Sequence, residues 1–252
     1  LPHVVVPAEL PAQISAFKRQ QARWAQGSIQ TALKLMGPLF RSQQPWRVKL
    51  EAGLHLTGYL VHPLMLMVIL LTLPMSASRS WVVVGLPWLM ITAAGPPLLY
   101  IIAQLAHENG GGKRLRYVPL LTVLGMGLSL NNTGAVMRAV LGVQQEFERT
   151  PKFDLRRSAD MWVGSVYVLR KGWLVWLELA LAALTLSMLF LPNTRWTFAP
   201  WLVLYASGFG FVAGLNLFQT HQRRRWLARQ PIPASGTQAG TPPAGQHHIR
   251  AG

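Results

Sequence analysis

The chain has 252 residues, 51% of them hydrophobic, yet it carries a formal net charge of +16 from 24 Lys and Arg against 8 Asp and Glu. A mean hydropathy of +0.27 beside that charge argues against a soluble basic domain and for a multi-pass membrane protein. A nucleic-acid binder would spread its basic residues over one folded surface, whereas here they are gathered between apolar runs; with Cys 0, disulfides and thiolate metal sites are excluded.

In chain order, Val4-Val5-Val6 is a short β-branched run ended by Pro7 and reads as the close of a strand. Leu10–Met36 reads as an amphipathic helix. At about 100° per residue, Ile14, Phe17, Ala25, Ile29, Ala32, Leu33 and Met36 gather on one side, with Arg19, Arg23, Gln26 and Gln30 opposite. A bilayer span needs about 20 mostly apolar residues, and Ala52–Met75, Trp81–Ala106, Trp173–Leu191 and Phe198–Phe218 supply them. The turns 76–80 and 192–197 make two helical hairpins of these spans. Those turns hold only Arg79 and Arg195, while Lys113/Arg114/Arg116, Arg149/Lys152/Arg156/Arg157, Arg170/Lys171 and Arg223/Arg224/Arg225 lie on the other side. The positive-inside rule then puts both termini in the cytoplasm.

Val118–Val143 has basic loops on both flanks, so it is expected to enter and return, or to lie at the interface, in preference to crossing as a fifth span. Beyond Arg225 the chain is rich in Pro, Gly and Ala and is expected to be disordered. The organisation predicted is therefore an all-α, polytopic membrane helical bundle with an amphipathic interfacial helix. Its parts are 1–50, a first hairpin 51–106, a cytoplasmic or interfacial segment 107–172, a second hairpin 173–220 and a tail 221–252.

Two short motifs bear on chemistry. Gln20-Gln21-Ala22-Arg23-Trp24 places Gln20, Arg23 and Trp24 at i, i+3 and i+4, on one edge of the predicted helix. A guanidinium grips a diphosphate bidentately, an amide reads a hydroxyl and an indole offers a flat face to a sugar ring. A snorkelling Arg and a belt Trp on an interfacial helix would give the same letters. The second motif is Phe147-Glu148-Arg149-Thr150-Pro151-Lys152-Phe153, which, taken alone, equally fits a basic juxtamembrane loop drawn to anionic lipid.

Taken together, in this order and flanked by membrane spans, the two motifs resemble those of the membrane-embedded family 2 glycosyltransferases, the processive synthases of cellulose, hyaluronan and mannan-type polymers. The pentad resembles their Q-x-x-R-W acceptor-site motif. Phe147 to Lys152 resembles their gating loop F-x-V-T-x-K, with Arg149 in place of Val, a form closer to mannan- or glucomannan-type synthases. The resemblance implies an inverting, processive transfer from a nucleotide-sugar donor to a growing polysaccharide in the bacterial inner membrane, with export or periplasmic subunits among the partners and no nucleic acid. It assigns acceptor and donor contacts to Gln20, Arg23 and Trp24, and nucleotide contacts in the gating loop to Phe147, Thr150 and Lys152.

The acids are Glu9, Glu51, Glu108, Glu146, Glu148, Asp154, Asp160 and Glu178, and none forms a D-x-D. The Mg²⁺ or Mn²⁺ and the general base that such transfer needs are thus expected in a preceding nucleotide-binding domain, and no catalytic or metal residue is assigned within this chain. The alternative from another class is a non-enzymatic transporter or scaffold subunit whose basic loops bind lipid. Glu178, the one formal charge inside the spans, suits a functional acid or one reaching interfacial water. His55, Tyr59 and His62 share a helical face, fit for a glycan or for contact between helices. Gly210 and Gly214 form a G-x-x-x-G, and Trp81, Trp173, Trp196 and Trp201 suit a membrane belt.

Overall fold

The computed structural model describes residues 9–77, 95–106, 111–144, 162–164, 172–191 and 198–229, and among these every regular element is helical. The elements are α1 (Ile14–Arg41), α2 (Trp46–Thr57), α3 (Val61–Ala77), α4 (Gly95–Leu105), α5 (Val118–Gly127), α6 (Ser129–Val140), α7 (Leu174–Ser187) and α8 (Ala199–Ala228). The all-helical class expected from sequence is observed among the described residues, while Val4–Val6 lie outside them.

Helix α1 is shifted toward the C-terminus of the expected Leu10–Met36: it begins at Ile14. It runs through Pro38 to Arg41 and stops where Ser42 turns extended and its hydroxyl donates to Leu39 O at 2.6 Å. The face it buries is made of small residues: Ala22, Ala25 and Ile29 pack on Ala135, Val136 and Ala139 of α6, with Tyr59 at the edge. Alanines at this spacing let two helices approach closely without filling space between them. Two of the expected placements on this helix are corrected. Gln26, assigned to the polar side, is 3% exposed, because its amide bridges to α6. Leu33, assigned to the buried side, is 62% exposed, because it lies beyond the part of α1 that packs on α6.

The second core joins α3, α5, α7 and α8 through Ile69, Met126, Leu181, Met188, Leu202, Tyr205 and Phe209. Tyr205 donates its hydroxyl to Met65 O at 3.2 Å, tying α8 to α3. At the crossing of α5 and α8 two glycines meet. A Cβ on Gly127 would fall 2.2 Å from Gly208 O, and one on Gly208 would fall 2.8 Å from Gly127 N. The close approach therefore belongs to Gly127 and Gly208. Gly210 and Gly214, which form the G-x-x-x-G, face open space.

Among the described residues, two helical stretches are long and apolar enough to cross a membrane, Trp46–Thr72 and Ala199–Ala228, and a third exists if the bent pair formed by residues 112–127 and α6 is one span. In Trp46–Thr72 the apolar side chains Leu54, Leu60, Val61, Leu64, Met67, Leu70 and Leu71 are exposed. So large an apolar surface is costly in water and natural in lipid. The expected span Trp173–Leu191 is the shorter helix Leu174–Phe190, and of Trp81–Ala106 only Gly95–Leu105 and its first following residue are described. Val118–Val143 is two helices meeting at 48° rather than one straight rod. The break falls at Gly127-Leu128, and Ser129 Oγ donates back to Met126 O at 2.7 Å. Helix α8 continues through Ala228, so the segment expected to be disordered beyond Arg225 is helical that far. Arg223 to Ala228 are competent helix formers, and no proline follows until Pro231.

Candidate functional site

Gln20, Arg23 and Trp24 lie along one edge of α1, as their spacing dictates. Gln20 and Arg23 are half-buried, and Trp24 is 50% exposed. Trp24 lies off the alanine face that packs on α6, so the indole is not spent on that core. Phe147, Arg149, Thr150 and Lys152 lie outside the described residues.

Next to the pentad is a cluster that the motifs did not single out. Lys18, on the otherwise apolar side of α1, is buried and forms a salt bridge with Glu178 of α7, whose side chain is fully buried. The acid inside the spans is therefore paired with a cation from α1 and does not reach interfacial water. Around this pair the amides tie α1 into the bundle. Asn131 Nδ2 donates to Lys18 O at 2.9 Å, Asn216 Nδ2 donates to Ser15 Oγ at 3.0 Å, and Gln219 accepts from Ile14 N and donates to Ala12 O. A cleft of about 230 Å³ opens there between α1, α6 and the start of α7, lined by Ser15, Lys18, Arg19, Asn131, Arg138 and Asn216, with Gly172 and Leu174 on its far wall.

The end of α6 sets one side of this cleft. Gly142 adopts φ +69°, the N–H of Gly142 donates to Ala139 O at 3.1 Å and that of Val143 to Arg138 O at 2.9 Å, the paired bonds of a Schellman ending. The turn aims Val143 O at Gln26, whose Nε2 donates to it at 2.9 Å, while Gln26 Oε1 accepts from Arg138 Nε at 3.4 Å. Of the polar residues on the first span, His62 Nε2 lies 3.0 Å from Asn132 Nδ2, and Tyr59 lies 6.0 Å from the His62 ring. That is contact between helices, the plainer of the two readings of this face.

Lys18, Asn131, Arg138 and Asn216 went unnoticed in the sequence because they come from three helices. The available signals were a lysine among apolar positions of α1 and a lone acid in α7. Cations, amides and a hydroxyl suit an anion. They do not suit a divalent ion: the described acids Glu9, Glu51 and Glu178 sit apart, and among the described residues no three His, Cys, Asp or Glu converge.

Among the described residues, fold and site thus define an all-helical arrangement in which two or three helices are fit to cross a membrane and an amphipathic helix is pinned to the shorter apolar helix α7 by a buried ion pair. No family model, curated protein or solved structure matches the chain.

Proposed function

We propose that this chain is the membrane and translocation part of an inverting, processive polysaccharide synthase, seated in the bacterial inner membrane with both termini in the cytoplasm. The observation that carries the reading is the exposed indole on the Gln20, Arg23 and Trp24 edge of α1. Trp24 is 50% exposed beside Gln20 and Arg23, on a helix whose other face is fixed to the bundle. A rigid helix presenting an amide, a guanidinium and an indole side by side can hold a sugar ring on the indole while the two polar groups engage hydroxyls and phosphate. In this reading Gln20, Arg23 and Trp24 bind acceptor and donor. Phe147, Arg149, Thr150 and Lys152 form the loop that closes on the nucleotide, and the spans pass the glycan outward. The divalent ion and the general base come from acids outside this chain.

The test is polymer synthesis in the full-length enzyme. Trp24→Ala removes the stacking face, for which a loss of about 1–3 kcal/mol is expected by analogy with aromatic stacking on nucleobases, and synthesis should fall by about five- to 150-fold. Thr150→Ala and Lys152→Ala should instead raise the apparent donor KM. A Trp24→Ala enzyme that is expressed normally and polymerises at the normal rate would reduce the pentad to an interfacial anchor and remove the support for a synthase.

A further inference from the structure

The geometry points to the cleft between α1, α6 and α7 as a binding site for a phosphate group, distinct from the Gln20, Arg23 and Trp24 edge and not dependent on its assignment. Ser15, Lys18, Arg19 and Ala22 recur at i, i+3, i+4 and i+7, so one stripe of α1 delivers a hydroxyl and two cations to the same cleft. Arg138 and Asn131 enter from α6 and Asn216 from α8, so the donors converge from three separate helices.

Charge makes the argument specific. No acid is among the described residues that line the cleft. Glu178 lies behind it and neutralises Lys18. Arg138 is half-buried, and its hydrogen bond is to a neutral partner, Gln26 Oε1, through Nε at 3.4 Å. The two terminal nitrogens of its guanidinium form the planar fork that matches two phosphate oxygens. A half-buried guanidinium whose described partner is a neutral amide is stabilised by an anion, and the cleft of about 230 Å³ gives that anion room. Asn131 and Asn216 spend donors on Lys18 O and Ser15 Oγ, which fixes the cleft walls before any ligand arrives.

The phosphate could be carried by a soluble diphosphate or by the headgroup of an anionic phospholipid, and the two sources are separable. The full chain is placed in phosphatidylcholine nanodiscs and titrated with pyrophosphate by calorimetry. In parallel, nanodiscs doped with phosphatidylglycerol are compared with undoped ones for a shift in the thermal unfolding midpoint. At least one probe should bind, and Arg138→Gln should weaken it tenfold or more, or abolish the midpoint shift. Pyrophosphate binding alone identifies a soluble source, and a lipid-dependent shift alone identifies a headgroup. Ser15→Asp puts a negative charge into the cleft while keeping an acceptor for Asn216. It should have the same effect, and it decides the matter if Arg138→Gln does not fold. Neither probe acting on the wild type would overturn the proposal. So would binding that is unchanged in the variants, since attraction to the basic loops at large would survive these substitutions.

Discussion

Lys18 and Glu178 show how one side chain can fix the placement of a whole helix. Both are buried, and each is the other's charge partner. Moving two charges out of water costs several kcal/mol per ion, and their attraction offsets this only while both are present. Lys18→Met or Glu178→Leu alone should therefore cost about 3–5 kcal/mol. The double variant Lys18→Met with Glu178→Leu, which removes both charges, should recover most of that loss. Reversible unfolding in detergent, read as a double-mutant cycle, measures it. Additive losses in the double variant would show that the pair is not a coupled unit. Little of this was legible in advance, because a lysine on an apolar stripe is compatible with snorkelling and its partner lies 160 positions away in the sequence. Trp24 is the opposite case: its edge follows from i, i+3, i+4 spacing alone.

Helix pairs are held at this scale by what their contact surfaces lack. Alanines separate α1 from α6, and at Gly127 and Gly208 the backbones of α5 and α8 meet without any side chain between them. A methyl on Gly127 would sit 2.2 Å from a carbonyl oxygen that belongs to backbone and cannot rotate aside. Gly127→Ala should thus force the two helices apart and destabilise by about 1–3 kcal/mol or more. Gly210→Ala meets nothing within 4 Å and should be neutral or slightly stabilising, since alanine favours a helix interior by about 0.5–1 kcal/mol over glycine. Thermal unfolding of the two variants in detergent gives opposite signs if the crossing is as described, and equal effects would contradict it. Which glycine makes the contact could not be read from G-x-x-x-G spacing. The pattern marks a helix able to pack closely, and the helix that actually arrives, with its own Gly127, selects Gly208.

Over the whole molecule, the helical class and the apolar stretches were legible because spans are long and their composition is unambiguous, as Ala199–Ala228 and Trp46–Thr72 show. The buried polar seam was not, since Ser15, Asn131, Arg138 and Asn216 are ordinary letters until the helices bring them together. Nor was the extent of α8, whose arginines read as the start of a tail although they continue the helix. Orientation follows from a different quantity, the placement of Lys and Arg, and it makes a prediction that the absence of native cysteine renders clean. Cysteine at Ser78 or Asn193, in the two short sequence stretches poor in basic residues between apolar runs, should react with a membrane-impermeant maleimide in intact cells. Cysteine at Gly111, Arg157 or Gly236 should react only after permeabilisation. The informative position is Arg157. Residues 112–127 and α6 meet at 48°, a geometry open to a broken span as well as to a re-entrant pair, and basic residues on both flanks favour return to the same side. Labelling at Arg157→Cys in intact cells would mean that the pair crosses the bilayer and would place the segment carrying Phe147, Arg149, Thr150 and Lys152 on the face away from any cytoplasmic nucleotide. Protection there keeps that segment and the Trp24 edge on one side of the membrane, the arrangement a synthase requires.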